Sequence, residues 1–147
     1  MLAWLTMTRP SMLRLSPRRA LAVFNVGLLQ GAHWVCFFLS VSLSSVSVAL
    51  AAFATISLFT SITEPLIERR AFRLGELLCG GIVISGILLI TGGIDPHHKS
   101  GLLVGLAGAL LHAIFPVLNR DLAAKGTPPK SMLLYGMGGA CFMSAII

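Results

Sequence analysis

Charged side chains are scarce in this chain, and over long stretches there are none. Of 147 residues, 11 are Lys or Arg and 5 are Asp or Glu, 11% in all; an average soluble domain carries about 25%. Residues 20–63, 77–94, 100–119 and 131–147 hold no Asp, Glu, Lys or Arg. Those gaps run to 44, 18, 20 and 17 residues, and a helix crosses the hydrocarbon core of a bilayer in about 20 apolar residues. Three gaps are one span each, and the first is long enough for two. With 56% hydrophobic residues, this pattern excludes a soluble enzyme, a disulfide-rich secreted module and a disordered tail. The class it points to is an all-α membrane protein, a polytopic helical bundle of about five transmembrane helices.

Other absences narrow the chemistry. There is no HExxH, no nucleophile elbow and no P-loop, and no pair of aspartates lies inside a span. Asp95 and Asp121 fall in connections on opposite sides of the membrane, so no catalytic residue is expected. No metal site is expected either, since His97 and His98 form a pair in a turn with no third ligand near them in sequence. Nothing in the sequence calls for a cofactor. The three cysteines, Cys36, Cys79 and Cys141, fall one per span without pair spacing and read as small core hydrophobes. The net charge is +6, but the basic residues form no stripe with interleaved aromatics, which argues against a nucleic-acid partner.

What the basic residues do mark is topology. The first gap divides at its most polar stretch, Ser40 to Ser45, into spans near 20–40 and 44–65, with Pro65 ending or kinking the second. Spans three to five cover 77–94, 100–119 and 131–147. Arg9, Arg14, Arg18 and Arg19 precede span one; Arg69, Arg70 and Arg73 follow span two; Arg120, Lys125 and Lys130 follow span four. Ten of the eleven basic residues thus share one side, and Lys99 stands alone on the other. The excess of Lys and Arg marks the cytoplasmic face. The N-terminus is expected in the cytoplasm, the C-terminus outside, and the membrane is expected to be the cytoplasmic (inner) one. Residues 1–8 are apolar but precede the arginines, the reverse of a secretory signal. They read as the end of a membrane-embedded or interfacial segment.

Within the spans, small residues recur four apart: Gly27 and Gly31, Gly81 and Ser85, Gly101 and Gly105, Gly136 and Ala140. Small side chains let helix backbones approach closely in lipid, so these spacings read as bundle packing. Span two is rich in hydroxyls whose natural partners are carbonyls of their own helix, and it is expected inside the bundle or along a polar cavity. Polar residues at membrane depth are the functional candidates. On span one these are His33 and Trp34, with Asn25 and Gln30 about 80° and 60° around the helix from His33, too far apart for one tight cluster. On span two they are Thr60 and Glu64. Glu64 reads either as an interfacial carboxylate paired with Arg69 or Arg70, or as a gate or solute contact. On span four they are His112 and Asn119, seven residues apart and near one face. The substrate-binding candidates are therefore His33, Trp34, Thr60, Glu64, His112 and Asn119.

Three stretches carry a family resemblance. His33-Trp34 followed by Ser44-Ser45-Val46-Ser47-Val48-Ala49, then Leu58-Phe59-Thr60-Ser61-Ile62-Thr63-Glu64-Pro65-Leu66, then the glycine-bearing run from Gly75 to Ile90, resemble consecutive helices of an EamA-type transporter of the drug/metabolite transporter superfamily. Gly101 to Arg120 resembles the first helix of that family's second repeat. The resemblance implies a ten-helix fold of two inverted five-helix repeats with a solute site between them. Residues 1–19 then correspond to the tail of helix two and a basic cytoplasmic segment. Residues 20–94 are the end of the first repeat, with three helices. Residues 95–147 are the start of the second, with two. The implied function is transport of a small organic metabolite or drug-like solute by a secondary transporter, the chain being part of a longer permease. Expected partners are the solute, the lipid bilayer, and the remaining helices or a second copy of the chain. The alternative is a non-transporting membrane subunit or assembly factor packed against a larger membrane protein. A small multidrug-resistance-type homodimer would need a carboxylate inside its first helix, and span one has none.

Overall fold

The computed structural model of the chain describes residues 14–91 and 96–146, all helix and short connections, with no strand among them. Helix α1 spans Pro17–Leu43, α2 Val46–Phe53, α3 Ile56–Glu68, α4 Leu74–Thr91, α5 Lys99–Ala124 and α6 Pro129–Ala145, with a 3₁₀ turn at Pro96–His98 ahead of α5. The N-terminal segment expected to be a helix tail, the turn around Asp95 and the final residue Ile147 lie outside the described residues.

Three stretches are long and apolar enough to cross a membrane: Pro17–Leu43, Val46–Glu68 and Lys99–Ala124, of 27, 23 and 26 residues. The middle one is α2 and α3 in succession. Their junction at Thr55 is a local tightening of the helix, in which the Thr55 N–H and hydroxyl both donate to the Ala52 carbonyl. Helices α4 and α6 have 18 and 17 residues, about 27 and 26 Å at 1.5 Å per residue, at the short limit for a span.

The break between spans one and two falls at Ser44 and Ser45, inside the polar stretch of the sequence. The Ser45 hydroxyl oxygen accepts from the Val48 N–H at 3.3 Å and caps α2. Pro65 does not end its helix. It is buried inside α3, which runs on to Glu68. Its fixed φ is a helical one, so a proline near the last turn costs one N–H donor and leaves the path intact. The chain turns instead at Arg69, whose φ of 54° is left-handed, and the Arg70 N–H closes back on the Pro65 carbonyl at 3.1 Å.

Side-chain size is distributed as lipid demands. The buried set is small: Ala49, Ala52, Ala109, Ala113, Ser40 and Ser131 are all essentially inaccessible. Large apolar side chains face outward, Leu89 at 85% and Ile82 at 73% exposure. In water this arrangement would be costly; in hydrocarbon, helices gain nothing by hiding leucine and associate through close backbone packing. Helix α1 lies between α6 and α5; α5 also packs on α2 and α3, and α4 lies at the edge against α3 and α2.

The small-residue spacings explain most of this order. A Cβ on Gly31 would lie 2.6 Å from the Ala140 carbonyl oxygen, and one on Gly27 would run into the Gly136 backbone, so these two motifs form the α1–α6 seam. On α5, a Cβ at Gly105 would meet Ala52 Cβ at 2.7 Å, and one at Gly108 would meet Cys36 Cβ at 2.8 Å. The Ser40 hydroxyl crosses that seam to donate to the Gly101 carbonyl at 2.7 Å. The fourth motif departs from expectation. Gly81 has nothing within 4 Å of where its Cβ would be, and Ser85 donates to the Gly81 carbonyl of its own helix. That face of α4 points away from the bundle. The cysteines depart as well: Cys36 is half-buried, whereas Cys79 and Cys141 are exposed. A thiol is as compatible with lipid as with a helix interior, so nothing forces it inward.

Candidate functional site

Helices α1 and α5 cross where Gly101, Gly105 and Gly108 remove side-chain bulk, and this brings two mid-span histidines together. His33 is buried at 6% exposure. Its Nδ1 lies 3.2 Å from the Gly108 carbonyl oxygen, and its Nε2 lies 3.2 Å from His112 Nδ1. The two ring centroids are 4.4 Å apart. Phe53 of α2 packs on His33 at 5.1 Å between centroids, and Phe37 packs edge-on against Phe53 at 4.8 Å. These groups line a cavity of about 590 Å³, completed by Trp34, Phe38 and Ile56. It is aromatic and aliphatic except for the two imidazoles.

The hydrogen-bond directions follow from one fact: a carbonyl oxygen only accepts. His33 Nδ1 must carry the hydrogen donated to Gly108. In the neutral ring Nε2 is then bare and accepts, so His112 Nδ1 carries the hydrogen donated to it. The free lone pair of the neutral pair is at His112 Nε2. Each imidazole thereby sets the tautomer of the next, and a backbone carbonyl sets the first.

The other candidates lie elsewhere. Thr60 and Glu64 line a cavity of about 460 Å³ between α3 and α4, with Ser57, Ser61, Glu76 and Cys79. Thr60 donates its hydroxyl to the Ile56 carbonyl at 2.8 Å, as the hydroxyl-rich span leads one to expect. Ser61 does the same to Leu58 at 2.7 Å. Glu64 is held by cations on two elements. Arg120 of α5 reaches it at 2.7 Å and also bonds Glu68, while Arg70 lies 3.6 Å from Glu64, 3.8 Å from Glu68 and 3.3 Å from Glu76. The left-handed turn at Arg69 swings Arg70 back over these carboxylates. The Arg70 partner is the one foreseen from sequence; Arg120 is not, because its contact depends on the α3–α5 packing. The network ties the ends of α3, α4 and α5 together on the side rich in basic residues.

Asn119 lines a third cavity of about 390 Å³, between α1, α5 and α6, where it shares the wall with Gln30, Phe115, Met132 and Met137. The Gln30 side-chain oxygen is inaccessible there and has no hydrogen-bond partner among the described residues. Gln30 belongs with Asn119 as a polar pair of walls. Its angle away from His33 on the helical wheel is the signal that places it in a different cavity.

The six sequence candidates thus fall into three places. His33, Trp34 and His112 come together; Thr60 and Glu64 share a second cavity; Asn119 stands in a third. Phe53 is the residue sequence reading missed, for an aromatic on a mostly small-residue helix carries no polar signal. Among the described residues no cluster of three or more His, Cys, Asp or Glu is placed to hold a metal ion.

No curated protein and no solved structure matches the chain. Residues 1–92 match the EamA-like transporter family. That stretch is more than half of the chain and holds α1 to α4, including His33, Trp34, Thr60 and Glu64. An all-helical, multi-pass bundle with small residues at its seams and large ones toward lipid is what such a membrane protein requires. The chain belongs to the EamA-like transporters of the drug/metabolite transporter superfamily.

Proposed function

We propose that the chain takes part in moving a small organic metabolite or drug-like solute across the membrane by conformational change, with no covalent step. The observation that carries this reading is the cavity around His33 and His112. It lies midway along two long apolar helices, is large enough for a small metabolite, and offers a hydrogen-bond acceptor among aromatic walls, the usual make-up of a small-molecule site. His33, Trp34 and His112 are its solute contacts. The Arg120, Glu64, Glu68 and Arg70 network acts as the closure on the cytoplasmic side, with Thr60 and Asn119 on the approaches. The membrane is the inner one, with the N-terminus in the cytoplasm and the C-terminus outside, on the distribution of Lys and Arg.

In the ten-helix frame of the family, the chain supplies helices three to seven. Residues 20–94 close the first repeat and 95–147 open the second; the family match ending at residue 92 supports that division. The open Gly81–Ser85 face of α4 fits a surface on which a further helix packs, from the rest of the permease or from a second copy.

The test is protection from labelling. With Cys36, Cys79 and Cys141 changed to alanine, Phe53→Cys places a thiol on the cavity wall. A transported solute is expected to slow maleimide labelling in vesicles about tenfold at ten times its Kd, by mass action. If no solute in a broad metabolite panel changes the rate, and the chain stays bound to a larger membrane protein, the non-transporting subunit reading replaces this one.

A further inference from the structure

We infer that His33 and His112 form a single-proton site inside the membrane, the pair binding one proton and refusing a second. In the neutral pair, His112 donates to His33 and His33 donates to Gly108, leaving one bare nitrogen, His112 Nε2. His112 is half-buried and lines the cavity, so this nitrogen belongs to the accessible partner, while His33 behind it is buried. A proton arriving at His112 Nε2 makes an imidazolium that still donates from Nδ1 to His33. The bridging hydrogen then passes to His33 Nε2, leaving His112 neutral with its hydrogen on Nε2 and His33 as the cation, still donating to Gly108. Every hydrogen bond survives either placement, so the charge is shared across the pair. A second proton cannot be accommodated in the same way. Both facing nitrogens, 3.2 Å apart, would then carry hydrogens aimed at each other, and two cations would stand ring to ring, so the pair would have to separate.

No Asp, Glu, Lys or Arg lies on α1 beyond Arg19 or on α5 between Lys99 and Arg120. The titratable neighbour on α1 is Cys36, whose Cβ lies against the Gly108 position. Helices α2 and α3 present Phe53 and Ile56 to the cavity, and their acidic residues, Glu64 and Glu68, are held in the arginine network. On α4 the titratable groups are Glu76 and Cys79, which line the other cavity, and on α6 they are Tyr135 and Cys141 with Lys130 at its start.

The hydrogen bonds in question tie α1 to α5. In the family frame those two helices belong to different repeats, so proton occupancy bears on how the repeats move against each other. That consequence rests on the proposed transport function; the proton count does not, and the two fail separately.

The experiment is nitrogen-15 NMR of histidine-labelled full chain in lipid bilayers, with His97→Gln and His98→Gln leaving only the pair. At alkaline pH both rings are expected as Nδ1–H tautomers. As the pH is lowered the pair is expected to take up one proton, both rings shifting at a common midpoint. In His112→Gln the His33 signal is expected to leave that midpoint. Two protons taken up at independent midpoints, no proton taken up, or His33 as the Nε2–H tautomer would each overturn the inference. If the double substitution prevents folding, the same count is read from the unsubstituted chain by difference against a variant carrying both His33→Gln and His112→Gln.

Discussion

Gly31→Leu is expected to strip α6 from α1 and to cost far more stability than a glycine substitution on an open helix face. A Cβ at Gly31 would stand 2.6 Å from the Ala140 carbonyl oxygen, 2.7 Å from Met143 Cβ and 3.0 Å from Ala140 Cα. Two of those three atoms belong to backbone, which cannot rotate away. Overpacking a tight interior typically costs about 1–3 kcal/mol, and here the whole helix must retreat. Helix α6 packs chiefly on α1, so a retreat leaves it little else to hold. Gly81→Leu is the internal control. Nothing lies within 4 Å of that position, and leucine has the better helix propensity, so the change is expected to stay within about 0.5 kcal/mol. Unfolding of the two variants in a detergent titration separates the cases. Equal losses would mean that the α1–α6 seam is not the close contact described.

Arg120→Glu is expected to open the end of the bundle on the side rich in basic residues. Arg120 bonds Glu64 and Glu68 from across the α3–α5 contact. Reversing its charge sets a third carboxylate against those two. Arg120 is 54% exposed along its side chain, so Arg120→Ala, which merely removes exposed ion pairs, is expected to do little. The reversal differs because repulsion acts on groups held at helix ends with, among the described residues, Arg70 left to offset them. Spin labels at Ile67 and Ala124 are expected to move apart by about 2 Å or more, the scale of a helix shift, with a broader distribution. The double change Arg120→Glu with Glu64→Arg is expected to bring the distance back. An unchanged distance in the reversal variant would remove the closure role given to this network.

Much of the fold is legible in the sequence because lipid makes simple demands. Gaps in charge mark the long spans, and the serines at 44 and 45 mark the turn that divides the first gap. Three of the four small-residue spacings lie at helix seams. The fourth, on α4, could not be told apart from them, since a glycine pair has the same spacing whether or not a partner is present. Pro65, which the sequence offers as an end or a kink, does not end its helix, because its fixed φ is a helical one and only a donor is lost. Cys79 and Cys141 face outward for a related reason: burial of a small apolar group is not enforced where the solvent is hydrocarbon.

The candidate site is less legible. A helical wheel relates residues along one helix, and by that measure His33, Asn25 and Gln30 diverge. What joins His33 to His112 is the crossing of α1 and α5, decided by glycines three and four residues apart on α5 whose backbone the partner helix touches. The same holds for Glu64 and Arg120, 56 residues apart in the chain. Polar character at membrane depth selects the residues; only the packing sorts them into three places.

A path for a small organic solute between these helices, as proposed, is tested by flux. Proteoliposomes holding the full chain, together with any membrane protein that purifies with it in fixed ratio, are loaded with a panel of labelled metabolites. Saturable flux of at least one solute class is expected, lost when Phe53→Trp fills the cavity beside His33 while the protein remains folded. Flux that is absent for every solute, or that is unchanged when the cavity is filled, would contradict it.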